Sequence, residues 1–257
     1  MKKVQLKIVI LMMVLALVMT GPASAFASGN ENGSGPITSD AAIKIEGNGS
    51  APNYVPSAIE LQQRAAKEAL AANRVAIAAA GDYDRTLSVG VWKQPEDAKY
   101  INHCGPASTQ VALDVRLDAS KVPSLDTLAK EEKTNDGKTG TYMQDIKPVL
   151  NKRLSTSWYV IGNAKDQARL GTWIRADMDF NYAMVTGAKT GRMPGWGGRN
   201  VNHIVAVYGF RQPVSGSATV RYTDTASKKA GFTGNYWNSA SLSDFWSYVK
   251  DNNIQAW

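Results

Sequence analysis

The chain has 257 residues, a 44% hydrophobic content, seven tryptophans and a formal charge of +7, enough apolar material for one core. Its basic residues are scattered, with Lys228-Lys229 the nearest thing to a cluster, which argues against nucleic acid and leaves mild attraction to an anionic cell surface. One cysteine and two histidines rule out an internal disulfide and argue against a Cys/His zinc site, so no cofactor or metal is implied.

Lys2, Lys3 and Lys7 precede an apolar run over 8–19, and Ala23-Ser24-Ala25 and Ala25-Phe26-Ala27 both have small-x-small form. Residues 1–27 therefore read as a secretory signal peptide whose apolar run is short for a membrane span, with no stable membrane insertion expected once it is removed. Residues 28–56 are rich in Gly, Ser, Asn and Pro and read as a flexible linker or leader. Ser57-Ala58-Ile59-Glu60 has capping-box form and opens an Ala-rich helical segment to about Ala80. The segment 57–82 is either a surface helix packed on the domain or a pro-segment that covers the site until removed. The compact domain is expected over 83–257.

At the centre of that domain stands Asn102-His103-Cys104-Gly105-Pro106-Ala107-Ser108. Pro106 suits a first helical turn, and Ala107, Val111 and Val115 recur at helical spacing, giving a buried stripe. Cys104 thus sits at a helix N-terminus, where the helix dipole favours thiolate over thiol. A lone cysteine in an exported chain points to a free reactive thiol.

Ser124 opens a second short helix through Lys130. Asn135-Asp136-Gly137-Lys138 is a turn that lacks the alternating acids of a calcium loop. Thr141-Tyr142-Met143-Gln144 has the form of another capping box, for a helix ending near Leu154. Residues 157–161 and 182–185 read as strands flanking a helix over 166–178. A glycine-rich loop around Trp196 leads into 201–210, apolar and β-branched as in a strand buried on both faces. A further strand over 218–223 ends in Asp224, and Ser241 caps a last helix. Helices first and strands afterwards predict an α+β fold with an antiparallel sheet.

A cysteine nucleophile needs a base, and the base needs an orienting group. His103 adjoins Cys104 in sequence, and adjacent side chains diverge, which leaves His203. Asp224 closes the next strand, so order and spacing suggest Cys104 as nucleophile, His203 as general base and acid, and Asp224 as orienter. For the oxyanion, the backbone N–H of Cys104 is one donor. Gln94 is the best-placed side-chain amide, with Asn102 next. Trp196 either walls the substrate cleft or plugs the space under its loop.

These residues resemble the papain-like cysteine peptidases, and specifically the stand-alone relatives of the double-glycine peptidase that trims bacteriocin leaders. The likeness rests on Gln94, Cys104-Gly105-Pro106-Ala107-Ser108, the run from His203-Ile204-Val205 to Gly209, and Tyr222-Thr223-Asp224. Gly140-Thr141, before a helix ending in Leu150-Asn151, fits the middle region. The resemblance implies a Cys helix packed on an antiparallel sheet that carries His and Asp. It also implies a secreted, extracellular or wall-associated cysteine hydrolase acting on a peptide or protein. A transglutaminase-like acyl transferase or toxin, and a non-catalytic surface-binding module, are the alternative functions on the same fold.

Overall fold

The computed structural model describes residues 49, 51, 54–77, 81–135 and 140–257, all within one unit that runs from Ala42 to Trp257. The expected signal peptide, nearly all of the leader, the end of the Ala-rich segment and the turn at 136–138 lie outside them.

The longest strand organises the sheet. Apolar on both faces, β4 (Asn202–Gln212) is flanked on one side by β3 (Met184–Lys189), which pairs Asn202 through Val207. Past the end of β3, β1 (Tyr83–Thr86) takes over that side of β4. On its other side lies β5 (Thr219–Thr223), with a register shift between Val207 and Gly209, and then β6 (Trp237–Ser241). The two-residue strands β2 (Ile161–Gly162) and β7 (Gln255–Ala256) extend the β3 edge. The order is β2-β7-β3-β4-β5-β6, and every pairing is antiparallel.

The described helices are α1 (Ala58–Ile77), α2 (Cys104–Asp114), α3 (Leu125–Glu131), α4 (Met143–Arg153), α5 (Gln167–Asp179) and α6 (Leu242–Val249). Ala206 clusters with Val111 of α2, whereas Tyr222, opposite Val207, meets Phe245 of α6 with ring centroids 5.2 Å apart. Neighbouring residues of a strand point to opposite faces, so α2 and α6 cover opposite faces of the sheet. Helices and antiparallel sheet together agree with the α+β expectation. The chain order is more interleaved than expected, because β1 precedes α2 and α6 follows β6.

Most caps follow the sequence. Ser57 and Glu60 exchange capping bonds of 3.3 and 3.0 Å, while Ser124, Asp166 and Ser241 each accept an N–H from the first turn of their helix. The box expected at Thr141 does not form. Tyr142 is the N-cap residue and makes no side-chain cap bond. Thr141 Oγ1 instead pairs with Thr134 Oγ1 at 2.7 Å, and Gln144 accepts the Ala51 N–H.

Two strand expectations also move. Over 157–161 only Ile161 enters a strand, because the Asn151 side chain holds both backbone groups of Tyr159 at 2.9 Å. Tyr182 closes the end of α5 through the Asp177 carbonyl, aided by Asn181 at φ +59°, so β3 starts only at Met184. A left-handed residue after a helix is the usual way to satisfy its last carbonyls.

The stripe expected on α2 becomes a whole cylinder. Every residue from Cys104 to Leu113 is buried, as happens when a helix is covered on all sides rather than resting on a surface. Here β4, α3 and α4 all pack against it.

No described helix is long and apolar enough to cross a membrane.

Candidate active site

Cys104 is the first residue of α2 and carries a free thiol, 1% exposed. Two contacts fix the helix start. Ser108 Oγ donates to the Ile204 carbonyl at 3.1 Å, tying α2 to β4 one residue beyond His203. Gly105 lies against Thr141, whose Cβ would be 2.6 Å from any side-chain carbon added there. Glycine is therefore required by close approach, not by turn geometry.

His203 is the second residue of β4, and Asp224 follows β5 directly. The β4–β5 pairing of Ala206 with Thr223 brings the two strand ends together. His203 Nε2 lies 2.9 Å from Asp224 Oδ1. With Nε2 on Asp224, Nδ1 is the ring nitrogen left for another partner, and the nearby Cys104 acts electrostatically on the ring. All three side chains are buried. Burial alone would strip the proton from His203. The Asp224 charge and hydrogen bond, with Cys104 adding to them, outweigh it and raise the imidazole to about 10. The ring is thus an imidazolium at neutral pH.

Asp224 is fully engaged. Its Oδ1 also accepts the Ala226 N–H at 3.1 Å, and its Oδ2 accepts the Trp196 indole N–H at 2.8 Å. Trp196 is 3% exposed, its ring 5.0 Å from His203 and 5.6 Å from Phe232. Trp196 is thus buried, joined to Asp224 by its indole N–H. Gly195 permits this at φ +82°, with Gly234 backbone atoms only 2.4 Å from where a Cβ would stand.

Trp196→Phe keeps an aromatic ring but removes the indole N–H donor and the volume of the second ring. It is expected to cost about 2 kcal/mol in urea unfolding and to lower kcat by at least about tenfold with KM little changed. A purely packing role would leave kcat intact.

Gln94 is buried at 3% exposure. Its backbone N–H donates to the Thr225 carbonyl at 2.9 Å, and its side-chain Nε2 donates to the Tyr100 carbonyl at 2.6 Å. The same Tyr100 carbonyl accepts the His103 N–H at 2.9 Å. Gln94 therefore braces the turn that delivers Cys104 against the residue after Asp224. The 3-10 turn Ala98–Tyr100 folds back the chain between Gln94 and Cys104. One amide hydrogen is committed to Tyr100, leaving one for another acceptor.

Asn102 is half-buried, and its Oδ1 has no partner. His103 packs edge-on against Tyr100, ring centroids 5.2 Å apart, and burial lowers its pKa. His103 Nδ1 has no hydrogen-bond partner, whereas His203 Nε2 is held by Asp224.

The supporting contact of Ser108 was not legible from sequence: its partner, the Ile204 carbonyl, is distant in the chain, and only its position in the cysteine box gave any signal. The Ala226 N–H, two residues after Asp224, makes a local bond of the kind a turn-forming aspartate favours. Among the described residues no group of three or more His, Cys, Asp or Glu could hold a metal ion.

A family model described as the Peptidase_C39 like family matches residues 86–252, which span all three of these side chains. No curated protein and no solved structure matches the chain.

Proposed function

The chain belongs to the Peptidase_C39-like family and is a papain-like cysteine peptidase related to it, and on that premise we propose that it is a secreted hydrolase using a Cys104–His203–Asp224 triad. One observation carries the reading. The buried imidazole is held by Asp224 through Nε2 at 2.9 Å, and the charge of Asp224 together with the nearby Cys104 keeps it protonated. A protonated imidazole beside the sulfur is the partner a thiolate needs.

Cys104 Sγ attacks the carbonyl carbon of the scissile amide. The oxyanion that forms takes hydrogen bonds from the Cys104 backbone N–H, free at a helix start, and from the remaining Gln94 amide N–H. His203 then gives its Nδ1 proton to the departing amine, the C–N bond breaks, and a thioester remains on Cys104. Water attacks that thioester with His203 Nδ1 taking its proton. The acid product leaves with the thiolate–imidazolium pair restored. Throughout, Asp224 holds Nε2–H, fixing ring orientation and charge. Trp196 and the Ala226 N–H hold Asp224 in turn.

Thiol alkylation tests the pair without a known substrate. In the exported protein, iodoacetamide should label Cys104 rapidly well below pH 8, and His203→Ala should lose that low-pH labelling. A wild-type rate that rises only near pH 8.5, as for an isolated thiol, would overturn the reading.

A further inference from the structure

Helix α1 has little apolar cover. Of its side chains described, over 58–74, only Lys67 and Ala71 are buried, while Ile59, Leu61 and Leu70 are exposed. The larger of its two buried residues is a cation. Lys67 Nζ lies 3.0 Å from Asp177 Oδ1 on α5, 4.1 Å from the Trp158 ring centroid and 4.6 Å from that of Trp257.

Each of these partners also has a contact outside α1. Trp158 stacks on Tyr182 with centroids 4.8 Å apart and donates its indole N–H to Asp177 Oδ1 at 2.9 Å. Trp257 stacks on Trp173 at 4.3 Å. Asp177 is fully buried, and its Oδ2 has no hydrogen-bond partner. A cleft of about 270 Å³ opens beside the ammonium, between Ala66 and Leu70 of α1 and Thr156, Trp158 and Val160.

An apolar residue at position 67 would dock a helix at lower desolvation cost than an ammonium does. Burial pulls Lys67 down to about 8 against the opposing attraction of Asp177, so the cost is visible. Two indole faces and a carboxylate are the chemistry that recognises an organic cation.

We propose that Trp158, Trp257 and Asp177 form a binding site for a primary alkylammonium group, with Lys67 as the ligand delivered by α1. This ligand group, not an apolar face, docks the helix. An external primary alkylammonium takes the same place when the Lys67 side chain is truncated.

Lys67→Ala removes the three methylenes and the ammonium beyond Cβ, the equivalent of n-propylammonium. In the full-length chain it should lower Tm by about 10 °C, the scale of breaking a buried ion pair. Titrating n-propylammonium chloride should restore most of that loss saturably and change tryptophan fluorescence in step. Sodium chloride and tetrapropylammonium chloride at equal ionic strength should do neither, the latter being too wide for the cage. Adding Asp177→Asn should abolish the rescue.

If Lys67→Ala does not fold alone, its refolding yield from urea should rise saturably with n-propylammonium. Rescue that is absent, non-saturating or equalled by sodium overturns the proposal in either format. The readout is stability, so failure here is distinguishable from failure of the catalytic reading.

Discussion

Cys104→Ala should abolish peptide-bond hydrolysis while leaving a folded protein. Loss of a nucleophile that acts as a unit with its base costs on the order of 10⁴-fold to 10⁶-fold in kcat. The fold should tolerate the change, since only a sulfur leaves a fully packed site and the helix start keeps its other contacts. The Ser108 bond to the Ile204 carbonyl and the Gly105 contact with Thr141 do not involve the thiol. The expected stability loss is about 1 kcal/mol. Turnover of a mixed fluorogenic peptide library, read beside a thermal melt, checks both statements. Hydrolysis within tenfold of wild type in a protein with unchanged Tm would remove Cys104 as nucleophile.

Asp224→Asn should be nearly as damaging, for a reason the hydrogen bonds make explicit. The carboxylate faces three donors: the His203 ring, the Ala226 N–H and the Trp196 indole N–H. An asparagine has one acceptor oxygen, so in either amide orientation its NH₂ meets at least one donor. The charge that contributes most to keeping His203 protonated is lost as well, and only Cys104 is left to oppose the effect of burial on the ring.

In the wild type, the folded imidazole is raised from 6.5 to about 10. Its contribution to stability is therefore fully present below about pH 6.5 and is lost as pH rises through about 10. The basic limb of the activity profile should fall in the same upper range. In Asp224→Asn that limb should move to or below the ordinary histidine range, the alkaline loss of stability should disappear, and kcat/KM should drop about 10³-fold. A pH–rate profile and urea melts at several pH values test this. An unchanged basic limb would mean that Asp224 does not set the state of His203.

The Cys and His boxes could be read from the chain because their chemistry is local. A helix start with proline in its first turn, holding the only cysteine, announces itself by composition. So does a histidine within an apolar run. The helix starts at Ser57, Ser124 and Ser241 were legible for the same reason: donor and acceptor lie within one helical turn. Where a competing partner came from far along the chain, local reading failed. Thr141 had its own helix start to cap, but Thr134 and Ala51 claimed the two members of the box. Residues 157–160 have strand-forming side chains, yet Asn151 satisfies the backbone of Tyr159. The two-residue strands at Ile161–Gly162 and Gln255–Ala256 are too short to carry any periodic signal.

By itself, the sequence determined which residue types were available for chemistry, the helical setting of the cysteine, the strand setting of the histidine and the α+β character. Local periodicity and backbone preference suffice for these. Only the tertiary structure decided that Asp224 receives three donors, that one of them is the buried Trp196 indole, and that Gln94 braces the Cys104 turn. It also decided that a lysine on an alanine-rich helix would be caged by two tryptophans and a buried aspartate. Apart from the local Ala226 bond to Asp224, each of these joins groups from distant parts of the chain through a hydrogen bond or ring face a few ångströms across, and such short-range forces leave no trace in local pattern until the chain has folded.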